Sequence, residues 1–473
     1  MVNDHVARLQ ELQPYLNVLK DGSTKERAKK KSALDKVKQL GFQETASWPV
    51  HEQTMLLETL LDSLVLWSTQ SEIEYIREKT VMLLQCYVTR IEQPKAKVVI
   101  ETCLQRFPSE ETEEIRQGWI QVCVDVLNKK QPHMDEEDWF TLATLAVKDP
   151  CPEVIKQGAS LVLDLARLYP KAVAYRGEQT IIHSVIPLLI HKHAAIRVLG
   201  IKAMYQVLLC SSQGMKALSD LLTKLVHDHT VQVRTTFFTS VGDLLIHWLP
   251  TDRYDHAGRL LPVLFAGLMD ELTSIAETSR HQLDQLGKVC YQDLMDAGIN
   301  TSSSSCSQVT VGLKHLVHQC YEASMKRLMD DSNDFIPNKK RTALAALDAF
   351  LSYVSSDDMI RSNKWVIQRW MIIMAGEQQH FIDKITCTIA HLITWPILLD
   401  QLLPRLSKPN LMAESSQLPA NITVSVIWQI ISMYHQAEPI SDQDKQRIIT
   451  SFRAPHVFPF LPSPDTLDSF FSI

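Results

Sequence analysis

Four histidines stand in two pairs, His191 with His193 and His227 with His229, at similar places in successive stretches of the chain. Imidazole nitrogens are common zinc ligands, and two neighbouring turns could in principle supply one shared site. The simpler interpretation is that these histidines occupy exposed turns near the C-terminal ends of helices, where a positive charge is favourable. We favour the simpler interpretation and predict no metal site.

No other stretch has the spacing of a catalytic or nucleotide-binding motif. Gly287 and Lys288 lack the earlier glycine of a phosphate-binding loop, and a valine follows them instead of serine or threonine. The sequence contains no HExxH, GxSxG or GxGxxG pattern. We therefore predict that the chain is not an enzyme and that it has no catalytic residue, no cofactor-binding residue and no cofactor.

Composition narrows the classes of partner. The 473 residues include 48 basic and 54 acidic side chains, with a formal charge of -6, which gives no general attraction for nucleic acid or anionic lipid.

The nine cysteines are scattered without a CxxC pair and indicate core side chains in a reducing compartment. No apolar run approaches the about 20 residues that cross a membrane, and no signal-peptide pattern is present. We expect a cytosolic or nuclear protein that crosses no membrane.

One dense basic run, KERAKKK, extends from Lys25 to Lys31. It would suit an acidic partner or RNA, but no aromatic residues are interleaved with it as a platform for bases. The simpler interpretation is the solvated face of a helix near the N-terminus. Nucleic acid is the less favoured partner.

The elements that position these residues are predicted to be helices in a repeat. Each unit has an apolar helix-period run, a short polar turn, a valine or isoleucine that we call the anchor, and a second helical run. The anchors are Ile76, Ile115, Val154, Ile196, Val233 and Ile275, spaced by 39, 39, 42, 37 and 42 residues. Less regular units follow, with anchors at Ile336 and Ile382. A period of this length is typical of a solenoid, in which each helix pair must stack on its neighbours.

The second helix of each unit has an apolar side and a polar side. Eight and eleven residues after each anchor the side chains are apolar, which predicts a core that includes Leu84, Val162, Val241 and Leu244. The side chains six and ten residues after each anchor are mostly polar. We call these positions the second-helix row. The row is either a solvated face or a surface that binds a partner. Its candidate partner contacts are Met82, Asp125, Asp164, Lys202, Gln206, Asp243 and Gln285.

The regular pattern breaks at AGINTSSSSCSQ, a serine-rich stretch typical of an inserted loop or a hinge. We therefore predict a helical-repeat array over residues 1–296, a loop or hinge over 297–308, further helical repeats over 309–452 and an irregular tail over 453–473. The tail is rich in proline and aromatic residues and would cap a solenoid poorly. We expect the chain to be a shortened version of a longer one.

The polar turn, the anchor followed by arginine and the period near 40 together resemble HEAT repeats, over about residues 10–440. The resemblance implies an all-α, right-handed solenoid of antiparallel helix pairs, HEAT-like or ARM-like, with the second-helix row along its inner groove. It also implies a ladder of arginines and turn acids between neighbouring repeats, with interruptions at Ile155 and Ala276. The ladder positions are Arg27, Arg77, Arg116, Arg197, Arg234, Asp149, Asp228 and Asp270.

Two segments, Val231–Leu272 and Val311–Gln319, are similar to segments of the HEAT-repeat dynein axonemal assembly factors. Arg253 and Tyr254, the leucine-proline run after them and the GLxxLVH step at Gly312 are the basis of this similarity. The resemblance implies a cytoplasmic, non-catalytic scaffold that binds dynein chains, chaperones or other assembly factors while ciliary dynein arms are preassembled. The alternative is a HEAT-type transport receptor or a phosphatase-type scaffold.

Overall fold

The structure, a computed structural model, describes residues 4–21, 26–130, 136–299, 307–376, 379–411 and 418–461. Every regular element within these ranges is a helix. The chain divides into two compact units, Met1–Leu218 and Ser219–Ile473. The predicted all-α solenoid of helix pairs is confirmed.

The first unit consists of helix pairs stacked in two layers. Helices α1, α3, α5, α7 and α10 pack on one another in sequence as the first layer, and α2, α4, α6, α8 and α11 do so as the second. Their bounds are α1 (Asp4–Lys20), α2 (Arg27–Lys38), α3 (Val50–Gln70), α4 (Glu74–Tyr87), α5 (Gln93–Arg106), α6 (Glu113–Lys130), α7 (Glu136–Val147), α8 (Pro152–Leu168), α9 (Pro170–Ala172), α10 (Glu178–Leu189) and α11 (Ala194–Cys210).

Within the second unit the helices also pack in two layers. One layer consists of helices that pack on one another in sequence, α12, α14, α16, α18 and α20. In the other layer α13 packs on α15, α17 packs on α19, and α19 packs on α22. The bounds are α12 (Ser219–Val226), α13 (Val231–His247), α14 (Pro250–Gly267), α15 (Thr273–Asp296), α16 (Gln308–Asp331), α17 (Pro337–Leu351), α18 (Ser356–Met374), α19 (Gln379–Leu392), α20 (Trp395–Leu402), α21 (Lys408–Leu411), α22 (Ala420–Ala437) and α23 (Asp442–Phe452).

The apolar positions that repeat with the helix period form the core of each unit. The six regular anchors, from Ile76 to Ile275, are each at most 1% exposed. All of the positions eight and eleven residues after them are buried except Tyr87, which is half-buried. The Tyr87 ring instead stacks on Phe42, with 3.8 Å between ring centroids. The predicted core residues Leu84, Val162, Val241 and Leu244 are confirmed as buried.

Helices α15 and α16 approach each other so closely that only glycine fits at their contact. A Cβ atom on Gly312 would lie 1.9 Å from the carbonyl oxygen of Gly287, and one on Gly287 would lie 2.6 Å from the carbonyl oxygen of Val309. Neither distance is compatible with a side chain, because backbone atoms cannot move away independently. Gly312 of the GLxxLVH step is therefore required for the packing of these two helices.

The anchor predicted at Ile336 is wrong. Ile336 is 49% exposed and immediately precedes α17, which begins at Pro337. In the regular repeats the anchor lies three residues after the corresponding capping residue, as Val233 does after Thr230. The equivalent residue here is Lys339, and the positions eight and eleven residues later, Leu347 and Phe350, are fully buried.

The division between the units also differs from the predicted one. The boundary lies between Leu218 and Ser219, after a 3₁₀ stretch at Ser212–Leu218. Most of the predicted loop or hinge, residues 300–306, lies outside the described residues, but the helices on its two sides, α15 and α16, pack together within the second unit. This segment therefore joins two packed helices rather than two arrays. Of the predicted tail, residues 462–473 also lie outside the described residues, and the described part contains a 3₁₀ turn at Phe458–Phe460.

Among the described residues, no single helix has both the length and the apolar composition to span a membrane. The helix pair Ile382–Leu392 and Trp395–Leu406 meets the criterion only when taken together, and it is bent by 118° at its break.

Candidate protein-binding surface

Successive repeats of the first unit are joined by arginine–carboxylate pairs at their turns. Arg77 donates to both carboxylate oxygens of Glu110, at 3.0 and 2.9 Å. Arg116, one repeat later, donates to both oxygens of Asp149, at 2.7 and 3.1 Å. Each arginine also donates to a carbonyl in its own turn, Arg77 to Ser71 at 2.9 Å and Arg116 to Glu110 at 3.0 Å. The two pairs therefore link three consecutive turns, those at Ser71, Glu110 and Asp149.

The second unit contains the same link. Arg234 donates to both oxygens of Asp270, at 2.7 and 3.2 Å, and to Glu271 at 3.1 Å. It also donates to the backbone carbonyl of Asp228 in its own turn, at 2.8 Å. Asp270 accepts a further hydrogen bond from the N–H of Leu272, which fixes the carboxylate at the start of α15.

The ion pairs shift the pKa values of Glu110 and Arg116. Burial alone would raise the pKa of Glu110, but the hydrogen bonds from Arg77 and from Thr112 more than offset it and leave the pKa lowered. The hydrogen bond to Asp149 raises the pKa of Arg116, against the smaller opposing effect of burial. Both shifts favour the charged forms of Glu110 and Arg116, so the pairing stabilises the stacking of repeats.

The three other predicted ladder residues, Arg27, Arg197 and Asp228, each make a contact in or near a repeat turn. The Arg27 guanidinium lies over the ring of Tyr75, 5.7 Å from its centroid. Arg197 is 4% exposed and donates to the carbonyls of His191 and Lys192 in its own turn, at 2.8 and 3.2 Å. The Asp228 carboxylate accepts from the N–H of Thr230 at 2.8 Å, as Asp270 does from Leu272.

The second-helix row of the first unit lies at the surface, and its polar side chains bond to one another. Asp164 accepts from Asn128 on the preceding second helix at 2.8 Å and from Arg167 at 3.1 Å. Gln121 donates to Asp125 at 3.2 Å. These half-buried carboxylates thus contribute to contacts within and between helices in addition to facing solvent. The remaining row residues of this unit are exposed at Met82 and Lys202 and half-buried at Gln206.

In the second unit the row is represented by Asp243 on α13 and Gln285 on α15, both half-buried. Gln282 of α15 donates to Asp243 at 3.1 Å, so this carboxylate also joins neighbouring second helices. Within each unit the row is therefore mostly polar and at least partly accessible to solvent.

Arg253 carries out a structural role that the sequence analysis did not assign. It is 3% exposed and donates to the backbone carbonyls of Leu245 and Trp248 at the end of α13, at 2.6 and 2.7 Å. It also pairs with Asp293 of α15, which accepts a hydrogen bond from Tyr254 at 3.1 Å. The Arg253–Tyr254 pair therefore caps one helix and joins it to another.

A second missed feature is a repeated capping arrangement, Ser-x-x-Asp-x-x-Arg. At α18 the Ser355 hydroxyl donates to Asp358 at 2.6 Å, and Arg361 pairs with the same carboxylate. His318 of α16 is 2.9 Å from it. At α23 the hydroxyl of Ser441 donates to Asp444 at 2.8 Å, and Arg447 lies at 3.3 Å. A serine three residues before an acid is a capping signal that could have been found in the sequence.

The histidine turns show no ligand geometry of their own. The rings of His191 and His193 are 5.3 Å apart between centroids and tilted. Burial, the largest effect, and neighbouring cations lower the pKa of His191. Within the residues that the structure describes, no group of three or more His, Cys, Asp or Glu side chains is arranged to hold a metal ion.

The model of the family "Dynein axonemal assembly factor 5-like, TPR repeats" matches residues 20–293, more than half of the chain. This span contains the arginine–carboxylate ladder, most of the second-helix row and the Arg253–Asp293 pair. The chain belongs to this assembly-factor family.

Individual members of the assembly-factor family agree with this match. The chain is 25% identical to dynein axonemal assembly factor 5 of Xenopus laevis, over 54% of this chain and 32% of the relative. It is 22% identical to the Drosophila melanogaster protein of the same name, over 61% of this chain and 37% of the relative. The aligned part thus spans about a third of the length of these curated relatives. The solved structure of yeast importin-beta is 9% identical, with a TM-score of 0.42, and covers 95% of this chain and 66% of that chain.

Proposed function

We propose that this chain is a non-catalytic scaffold that binds proteins in the cytoplasm during preassembly of axonemal dynein arms. Membership of the assembly-factor family over residues 20–293 is the observation that carries the proposal. The relatives are named for dynein assembly, and the helix-pair repeat offers long polar surfaces rather than a reactive centre. Its partners are dynein chains and the chaperones or assembly factors that accompany them.

Two side chains of the second unit, Cys290 and Tyr254, have raised pKa values. Their surroundings favour a role in helix packing over a role in catalysis. Burial raises the pKa of the Cys290 thiol to about 12, so this cysteine is a poor nucleophile at neutral pH. Burial likewise raises the pKa of Tyr254, whose hydroxyl is bonded to Asp293. Both side chains belong to the contact between α14 and α15 that Arg253 organises.

Affinity purification of the tagged chain from cells that are building cilia tests the proposal. We expect dynein heavy or intermediate chains, with chaperones, to be enriched from the cytoplasmic fraction. The matched control is the tagged Leu84→Asp variant, which disrupts the repeat core at a side chain that is 1% exposed. Dynein chains recovered equally with both baits would reveal non-specific capture.

Loss-of-function measurements give an independent test. Cells without the protein should lack dynein arms in their axonemes and contain less assembled dynein in the cytoplasm. Normal arms in such cells would overturn the proposal. Recovery of nuclear-pore proteins or phosphatase catalytic subunits in place of dynein would instead indicate the transport-receptor or phosphatase-scaffold alternative.

A further inference from the structure

Three cations surround one aromatic ring on the surface of α2 and α4. The Tyr75 ring has the Arg27 guanidinium 5.7 Å from its centroid, the Lys31 ammonium at 5.3 Å and the Lys79 ammonium at 5.6 Å. Cation–π attraction accounts for the position of each cation singly. It does not remove the repulsion among them, because charges so close together are only partly screened at physiological salt, where the Debye length is about 8 Å.

Carboxylates of the first unit neutralise this cluster only in part. Lys79 lies 3.7 Å from Glu78, and the nearby Glu26 pairs with Lys29 at 3.0 Å. Among the residues that the structure describes, Arg27 and Lys31 form no ion pair within 4.0 Å. An anionic group placed beside the Tyr75 ring would therefore gain attraction from cations that have no carboxylate of their own.

An apolar strip adjoins the cations. Tyr75, Lys79, Met82 and Cys86 are spaced four, three and four residues apart on α4, so they lie along one face of the helix. Met82 is 47% exposed, Cys86 is also exposed, and the Lys79 ammonium lies 3.6 Å from the Met82 sulfur. A flexible methionine at the surface adapts to different apolar side chains. The charged and apolar parts thus form one continuous strip.

We propose that this strip, made of Arg27, Lys31, Tyr75, Lys79 and Met82, is a docking surface for an acidic segment of a partner protein. Carboxylates of that segment would lie against the three cations, and an apolar side chain beside them would cover Met82 and Cys86. An acidic peptide fits better than RNA, because the cations already occupy the surroundings of the only aromatic ring in the strip, which leaves no open platform for bases.

The inference rests on the proposed function only in that the chain binds proteins, so its test uses neither dynein nor chaperones. A display library of random twelve-residue peptides is selected on the purified full chain. Binders are then counter-screened on the triple variant R27E/K31E/K79E. A matched control, K97E/R106E/K171E, reverses three exposed cations elsewhere in the same unit.

We expect the selected peptides to be rich in Asp and Glu with an apolar residue among them. Binding of the best synthetic peptide should weaken at least tenfold in the strip variant, less than twofold in the control variant, and steeply with added salt. Met82→Ser should reduce affinity without changing the salt dependence, which separates the apolar contact from the charged one. Circular dichroism should show that all variants retain wild-type helicity.

Two kinds of result would overturn the docking inference. Selected peptides without acidic enrichment, or with equal affinity for the strip and control variants, would overturn the inference. A fluorescein-labelled oligouridylate that binds the wild-type chain and loses binding in the strip variant, while no peptide does, would assign the strip to RNA and also overturn it. Either result would leave the dynein purification unaffected, so the failure of this inference is distinguishable from the failure of the proposed function.

Discussion

Arg116 and Asp149 form a two-pronged ion pair between consecutive repeats, with hydrogen bonds of 2.7 and 3.1 Å. Both side chains are largely buried, at 10% and 4% exposure. The same carboxylate accepts the N–H of Cys151 at 2.8 Å and so fixes the start of α8. One carboxylate thus serves both the local turn and the stacking of neighbouring repeats.

Replacing Arg116 with alanine should therefore be costly. The Asp149 charge would stay buried without its guanidinium, and breaking such a pair typically destabilises by about 3–5 kcal/mol. Because this pair lies at a turn, we expect a loss near the lower end, about 3 kcal/mol, in urea unfolding followed by circular dichroism. Arg167→Ala is the control, since the Arg167 side chain is 65% exposed in its pair with Asp164 and should cost less than about 1 kcal/mol. Equal effects of the two substitutions would contradict a buried ladder.

Glu110 should make stability depend on pH. Its pKa is lowered in the folded protein, so its ionised form contributes stability above the unfolded pKa, and that contribution is lost as pH falls through the folded pKa. The Glu110→Gln variant should be less stable than wild type at pH 7 and should approach it as the pH is reduced below about 4. Urea midpoints measured from pH 7 to pH 3 check this. A difference that stays constant over the whole range would show that the charge of Glu110 is not the source of the effect.

The two sides of helix α4 should respond differently to truncation. Leu84 is 1% exposed and belongs to the core stripe, so Leu84→Ala should destabilise by about 2–4 kcal/mol. Met82, on the same helix, is 47% exposed, and Met82→Ala should change the unfolding free energy by less than about 0.5 kcal/mol. The pair checks the register of the repeat, because a shift by two residues would exchange the two outcomes.

Periodicity explains why this register could be predicted from sequence. Buried positions on a helix recur with the helical period, so the anchors and the stripe after them are visible as apolar residues at fixed spacing. The turn acids are visible for a similar local reason, since each accepts the backbone N–H two residues later, as Asp149 does from Cys151 and Asp270 from Leu272.

The features that could not be predicted depend on contacts that leave no local pattern. Asp293 lies forty residues after Arg253, and nothing in the spacing of either residue specifies the other. The boundary after Leu218 lies between two regularly spaced anchors, Ile196 and Val233. The sequence repeat therefore shows no change at the boundary. Ile336 is the residue before α17, because Pro337 begins the helix, so the buried anchor position lies inside the helix and not at this isoleucine.

The contact between α15 and α16 predicts a strong effect of adding one methyl group. In Gly312→Ala the new Cβ would lie 1.9 Å from the Gly287 carbonyl oxygen, and the two helices could accept it only by moving apart. We expect a loss of about 2–3 kcal/mol, the upper part of the range of about 1–3 kcal/mol for overpacked cores. Gly376→Ala is the matched control, because the nearest atom to its new Cβ would be the Lys340 ammonium at 3.7 Å. Thermal melts that are alike for both variants would contradict the close helix contact.

The last prediction concerns the carboxylates of the second-helix row. If a partner binds along this row through basic side chains, reversing Asp125, Asp164 and Asp243 to lysine should reduce the capture of dynein chains in affinity purification. The reversal also removes acceptors for Asn128 and Gln282, so a modest decrease in the melting temperature is expected with it. Loss of capture in that variant alone would therefore leave charge and structure confounded.

Changing the same three aspartates to asparagine separates the two effects. An asparagine oxygen can still accept the bonds that Asn128, Gln121 and Gln282 donate, while the negative charge is removed. We expect this variant to melt close to wild type and to capture less dynein, with the lysine variant capturing least, because a charge-dependent interface weakens in proportion to the charge removed or reversed. Wild-type capture by the folded asparagine and lysine variants would exclude the acidic residues of the row and direct the search to the opposite helix layer and the turns.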